Sequence, residues 1–460
     1  MSENELDEIL KEVRKKANSN MPVEPPSRSS NGRLHRVSDT PEIPKNPAAN
    51  FDSSYFDLNA IENNNNYAQN ERRSDRMKNK KKKKGLKPWV VAVIAVVLLI
   101  AAGAGIYFGF FNNKDKETQD PPKQTVGAEV EQVLNPLTGE SGYDKAALGK
   151  RPVAVVVENE YSTEAVRPQW GISDADIVLE GESEFSTRLL LFWADYSKVP
   201  DMVGPARSAR PPFIRFSQLF DSVFIHAGLS QSKGSYVGAD TVFQSEDVDH
   251  INLLDLTEDG TYFGRNNDRN TAVEHRGFLN GINLPQLIEE KGIRTDLDET
   301  GFTSFTFNSE AKPVGDLTAT SCEFKWSSGY CPKTAEFSYD AASRKYTTTD
   351  FDSQYGESGV KFENLIFLFD ETQYVVKENY GGSGSSETYC DYKLSGGSGT
   401  ILSEGTAVEI SWGVSNGKLW LKTSDGKDVA LNPGKIYIGY GSSNNGGVLA
   451  LNPVSDAVSE

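Results

Sequence analysis

Cysteine is scarce: Cys322, Cys331 and Cys390 are the only three in 460 residues. None forms a C-x-x-C pair or sits at zinc-ligand spacing from a histidine, so a structural zinc site is excluded. No metal or other cofactor is expected. The stretch SCEFKWSSGYC brackets a turn at Ser327–Ser328–Gly329, which predicts a hairpin holding Cys322 and Cys331 within disulfide reach. Helical H-x-x-x-H spacing is missing. Ser230, in HAGLSQS, lies outside any G-x-S-x-G elbow, which argues against a serine hydrolase. No period of 20–50 residues recurs, so solenoids and propellers are excluded. Net positive charge is absent where nucleic acid would need it. Residues 1–88 carry a net +5, leaving −22 for residues 112–460 out of a whole-chain −17. No nucleic-acid partner is expected.

Long hydrophobic runs are also absent, with one exception. Residues 1–88 are rich in Asn, Ser, Pro and charge and read as a disordered tail, apart from a short amphipathic stretch with Leu6, Ile9, Leu10 and Val13 on one helical face. KNKKKKKGLKP (78–88) is then followed by WVVAVIAVVLLIAAGAGIYFGFF (89–111), 23 residues without a charge. A helix of that length reaches roughly 35 Å, enough for a bilayer core of about 30 Å. The lysine run predicts a single-pass anchor with a cytoplasmic N-terminus and everything beyond residue 111 extracytoplasmic.

Residues 112–134 read as a polar linker. From 135 to 300, strand patterns such as RPVAVVVEN and DSVFIHAG alternate with helical ones such as PPFIRFSQLF and NLPQLIEEKGI, which predicts an α+β layer domain. From 301 to 455, short strands separated by Gly, Ser and Asp turns predict a mainly β domain. VSNGKLWLKTSDGK carries the strongest hairpin signal, with Asn-Gly and Asp-Gly turns. The boundary is expected at residues 295–305.

The stretch ADIVLEGESEFSTRLLLF spaces Glu180, Glu182 and Glu184 two apart among β-formers, which puts all three on one strand face. Such a row is either a solvated face or a site. A carboxyl with a raised pKa beside a second one suits general-acid cleavage of a glycosidic bond. GPARSARPPF sets Arg207 and Arg210 ahead of a helix, where they suit a carboxylate or phosphate ligand or a salt bridge to the glutamates. His226 ends a buried strand, where ligands commonly bind in layered α/β folds.

Five blocks in order, RPVAVVVEN, RPQWGISDADIVLE, STR, GPARSARPPF and FIHAG, resemble the YerB-like lipoprotein family of bacterial envelopes, a domain of unknown function. ENLIFLF, GGSGSSETY, SWGVSNGKLW and LNPGKIYIGY resemble its C-terminal part. The resemblance puts Asn159, Arg167, Gln169, Glu180, Glu184, Arg188, Arg207, Arg210 and His226 on motif positions, with Arg265, Arg269 and His275 in a looser block. Glu182 does not fall on a motif position. Family lipoproteins are anchored through a lipidated cysteine, where this chain has an uncharged helix-length run.

Two functions fit these expectations. One is cleavage of cell-wall glycan, with Glu184 as the principal acid and Glu180 orienting ligand or holding Arg207 or Arg210. The other is a non-catalytic envelope protein that recognises a muropeptide or an anionic lipid head group and meets protein partners through its β domain. A carboxyl held neutral favours the enzyme; carboxylates fully paired with Arg188, Arg207 and Arg210 favour the binder.

Overall fold

The structure, a computed structural model, describes residues 133–453 except 161–165, 168, 332, 352–358, 379–383 and 385. The tail, the run at 89–111 and most of the linker lie outside the described residues. Among the described residues no helix is long and apolar enough to cross a membrane.

Strand dominates. An eleven-stranded sheet is built around β1 (Val153–Asn159), β2 (Ile177–Ser183), β3 (Ser186–Trp193), β4 (Val223–His226) and β5 (His250–Asn252). Beyond β2 it continues with Ile436–Ser442, Asn364–Asp370, Gly397–Ser403, Thr406–Ser415 and Lys418–Thr423. The two expected domains therefore share one sheet. β2 pairs in parallel with Ile436–Ser442, from Ile177 opposite Ile436 to Gly181 opposite Tyr440. The expected boundary is stitched rather than open: Arg294 bonds both oxygens of Asp221, at 2.6 and 3.0 Å, and the Asp298 amide donates to Asp221 at 2.7 Å.

Both faces of this sheet are covered, which is why β1 reads as a continuous apolar run. Val153, Val155 and Val157 face a core shared with Phe324 and Phe337 of a smaller five-stranded sheet and with Trp326 just beyond one of its strands. Ala154 and Val156 face the opposite core, with Phe213, Ile214 and Phe216 of α1 (Pro211–Gln218) and Val242 and Phe243 of α2 (Ala239–Ser245). Two prolines open α1, where a missing N–H costs no helix bond. A third helix, α3 (Leu284–Lys291), stops at left-handed Gly292. Three helices of seven or eight residues do not make the alternating layer expected of residues 135–300. Much of the chain between the strands there is loop instead.

Cys322 and Cys331 are free, buried thiols, as is Cys390. The expected disulfide fails on register. Cys322 lies opposite Phe337, and pairing of the two strands ends at Lys325 opposite Thr334. Eight residues separate the two halves of that rung, too many for a tight turn, and Cys331 lies beyond it. Cys322 is three residues before that rung, about 10 Å along the strand, whereas a disulfide needs Cα atoms about 4.4–6.8 Å apart.

Candidate functional site

β1 runs antiparallel to β3, which runs antiparallel to β2; β4 and β5 run parallel to β1, and Ile436–Ser442 and Asn364–Asp370 run parallel to β2. All six strands end at one edge of the sheet, where layered folds place ligands. The three glutamates start there and have three different fates.

Glu180 is fully buried. Its Oε1 accepts from Asn159 at 2.8 Å, Thr187 at 2.6 Å and Lys333 Nζ at 2.6 Å, and its Oε2 from Tyr437 at 2.9 Å. Burial opposes charge on Lys333, but Glu180 and Asp350 outweigh it and its pKa rises. This is a saturated ion-pair network joining β2 to the C-terminal half of the chain. Glu180 touches neither Arg207 nor Arg210.

Glu182 is also buried, with its carboxylate accepting from Ser327 at 3.1 Å and Tyr374 at 3.0 Å. Burial pushes its pKa up to about 7, against the two hydroxyl bonds that pull it down.

Glu184 is not on the strand. β2 and β3 close with Ser183 opposite Ser186, so Glu184 and Phe185 form the two-residue turn, with φ of 35° and 60°. Two left-handed residues suit the twist of a tight hairpin, but Asn-Gly is the pair that adopts them readily. For ordinary L-residues the cost is about 1 kcal/mol or more each. The turn is held from its side chains. Glu184 Oε2 accepts from Arg188 at 3.0 Å and Ser183 at 2.8 Å, and Oε1 accepts from Arg210 Nε. Phe185 stacks on Tyr330, which stacks on Tyr374. Burial raises the Glu184 pKa, but the charges of Arg210 and Arg188 win and hold it down at about 2. Glu184 is a permanent carboxylate.

The arginines are placed by the backbone of GPARSAR. β4 stops pairing with β1 at Val155, and the segment after Gly204 takes over that side. The Glu158 amide donates to Pro205 O at 2.9 Å and the Arg207 amide to Val156 O at 3.0 Å. Ala227 N then donates to Arg207 O at 2.9 Å, so the segment is wedged between two strand ends. Arg207 thereby pairs with buried Glu158 at 3.2 Å, and His275 Nδ1 lies 2.7 Å from the same carboxylate. Burial acts to raise the Glu158 pKa, but Arg207 and His275 lower it overall. Arg210 immediately precedes α1, its side chain making no cap bond there and lying over the Tyr389 ring, and Arg188 donates to Ser208 O at 2.6 Å. Burial and the neighbouring Arg210 charge lower Arg188 to about 10. Arg269 lies 4.0 Å from the Trp170 ring centre. Arg167 donates to Gln169, which donates to Asn159 at 2.7 Å.

Two family models match this chain, "Protein of unknown function (DUF3048) N-terminal domain" over residues 137–294 and its C-terminal domain over 324–438. The chain belongs to the DUF3048 family. It is 30% identical over 322 residues to "Putative lipoprotein YerB" of Bacillus subtilis (strain 168), covering 69% of this chain and 88% of that protein. A crystal structure of YerB from Bacillus subtilis superimposes with a TM-score of 0.54 at 26% identity, covering 69% of this chain and all of that one.

For this DUF3048 member the structure gathers most of the expected residues at one edge. Glu184, Arg188 and Arg210 form one group, Arg207 and His275 a second around Glu158 that Arg269 joins by donating to His275 O at 3.3 Å, and Arg167, Gln169 and Asn159 a third. Three do not fit. His226 is fully buried, its Nδ1 donating to Gly228 O at 2.6 Å and its Nε2 lying 3.0 Å from His250 Nδ1; burial drives its pKa down to about 3. Arg265 is taken up by Glu258 at 2.7 Å and Val273 O. Glu180 is structural. Among the described residues no three His, Cys, Asp or Glu side chains are grouped to hold a metal ion. Sequence reasoning passed over Glu158, whose signal was its place beside Asn159 at the end of an apolar strand. It also missed Lys333 and Tyr389, which come from distant segments and carry no local pattern.

Proposed function

We infer that this chain is a membrane-associated cell-envelope protein that binds an oxyanion-bearing ligand at the arginine-rich end of its sheet. The observation that carries this is the pairing of Glu184 with Arg188 and Arg210, which leaves it ionised at every physiological pH. An ionised carboxylate between two guanidiniums cannot donate a proton to a glycosidic oxygen. Arg188 and Arg210 flank Glu184, with Glu387 within electrostatic reach of both, Arg207 pairs with Glu158, and Arg167 and Arg269 lie on Gln169 and Trp170, so guanidiniums are concentrated at this end of an extracytoplasmic portion that is otherwise strongly acidic. Guanidiniums present forked donors that match carboxylate and phosphate oxygens. The ligand chemistry is thus the oxyanion of a muropeptide carboxylate or an anionic lipid head. Envelope placement is supported by the uncharged run at 89–111 and by the lipoprotein name of the Bacillus relative.

Glycan cleavage is the weaker reading. Glu182 is held near neutrality as an acid would need, but it is 1% exposed beneath Ser327 and Tyr374. The full-length protein in detergent micelles should bind pyrophosphate or N-acetylmuramyl dipeptide, more weakly as salt rises, and Arg207→Gln should weaken that binding at least tenfold. Incubation with peptidoglycan should release no fragments by mass spectrometry. Fragment release without oxyanion binding would replace this reading with the enzyme.

A further inference from the structure

We propose that the Glu184 carboxylate is the resident occupant of the oxyanion seat, and that a ligand phosphate or carboxylate binds by replacing it between Arg188 and Arg210. This rests on the anion-binding reading above and adds how the site is regulated.

Three donors converge on one two-oxygen group: Arg210 Nε on Oε1, and Arg188 Nη2 and Ser183 Oγ on Oε2. That arrangement is the recognition pattern for a free carboxylate or a phosphate edge, here met by the protein's own side chain. The two guanidiniums are almost wholly buried, so they cannot stand without a counter-anion, and the exchange of one oxyanion for another preserves the charge balance.

The backbone makes the occupant removable. Glu184 and Phe185 are the two residues of the hairpin tip, both held at positive φ, and Phe185 is 46% exposed. Below the tip the hairpin is fixed, because Glu182 is bonded to Ser327 and Tyr374, and Thr187 to Glu180. Displacement therefore needs movement only from Ser183 to Ser186, and it releases a backbone that ordinary residues do not favour. A tethered carboxylate competes as an intramolecular ligand and lowers the apparent affinity for any free one.

The test is calorimetric titration of the full-length protein with pyrophosphate and, separately, with N-acetylmuramyl dipeptide. Glu184→Ala and Glu184→Gln should both bind at least tenfold more tightly than the parent chain to the preferred probe. Whichever probe gains more identifies phosphate or carboxylate as the natural group. Pyrophosphate should also restore the melting temperature that Glu184→Ala loses. Should Glu184→Ala fail to fold, Glu184→Gln keeps the amide in place of the carboxylate and carries the comparison. Parent-level or weaker binding by a folded Glu184 variant overturns displacement while leaving the anion site intact. If neither the parent nor the variants bind either probe, the anion-binding reading falls with it.

Discussion

Glu180 and Glu184 lie four residues apart on one hairpin, and each carboxylate is met by at least three donors. They differ in where those donors come from and what the backbone does beneath them. Glu180 sits in regular strand and is bonded from four segments, including Lys333 and Tyr437 of the C-terminal half. Glu184 sits in a left-handed turn and is bonded by groups that lie within one sheet edge. A carboxylate that ties distant segments together is part of the frame. A carboxylate on an unfavourable turn, between guanidiniums of its own edge, is where a ligand competes.

The largest effect that would sharpen this contrast is at Lys333. Lys333→Met leaves the Glu180 charge buried without its cation and should cost about 3–5 kcal/mol by urea denaturation; a loss under 1 kcal/mol would show that Glu180 does not belong to the frame.

Next is Glu182, the residue between them. Its folded pKa of about 7 lies above its ordinary 4.5, so between those pH values the folded protein holds a proton the unfolded chain has released. Stability from this group is therefore intact below about pH 4.5 and falls as pH rises towards 7, by up to about 3 kcal/mol. Glu182→Gln should match the parent at pH 4.5 and exceed it at pH 8 in parallel denaturation curves. Equal stability at both pH values would place Glu182 in contact with solvent.

Arg269→Lys comes third. It keeps the charge but loses the guanidinium's place over the Trp170 ring, a cation–π contact worth about 0.5–1 kcal/mol; the change should appear as a small drop in the unfolding midpoint. The smallest effect belongs to Phe185→Gly. Glycine relieves about 1 kcal/mol of left-handed strain but gives up a ring stack of about 0.5–1.5 kcal/mol. Thermal melts should agree within about 0.5 kcal/mol, and a large loss would mean that the turn is braced by Phe185 rather than by Glu184.

Much of the frame was readable locally. The apolar run of β1 announced a strand covered on both faces, and Asn416–Gly417, at φ of 52° and 75°, closes the hairpin its dipeptide signalled. The turn at Glu184–Phe185 was not readable, because SEFS contains neither Asn nor Gly and simply prolongs the alternation of β2. Only side-chain clamps from Arg188, Arg210 and Tyr330 make that turn tenable, and none of them lies in the turn. The same limit hid the shared sheet, since nothing in ILSEGT or KIYIGY names β2 as a neighbour. For the site, residue types at strand ends were sound guides, but burial sorted them: His226 and Glu180 had the right chemistry and the wrong access.

The pairing of residue 177 with residue 436 also sets a schedule for assembly. Until residues 436–442 have been synthesised, β2 has no neighbour on one side, and its apolar residues Ile177, Val178 and Leu179 border an open strand edge. Contacts between segments so far apart form slowly, and an unpaired hydrophobic edge is the feature that draws other chains into aggregates. Chains truncated before residue 436 should therefore accumulate as insoluble material, even though the arginine edge is encoded entirely before residue 280.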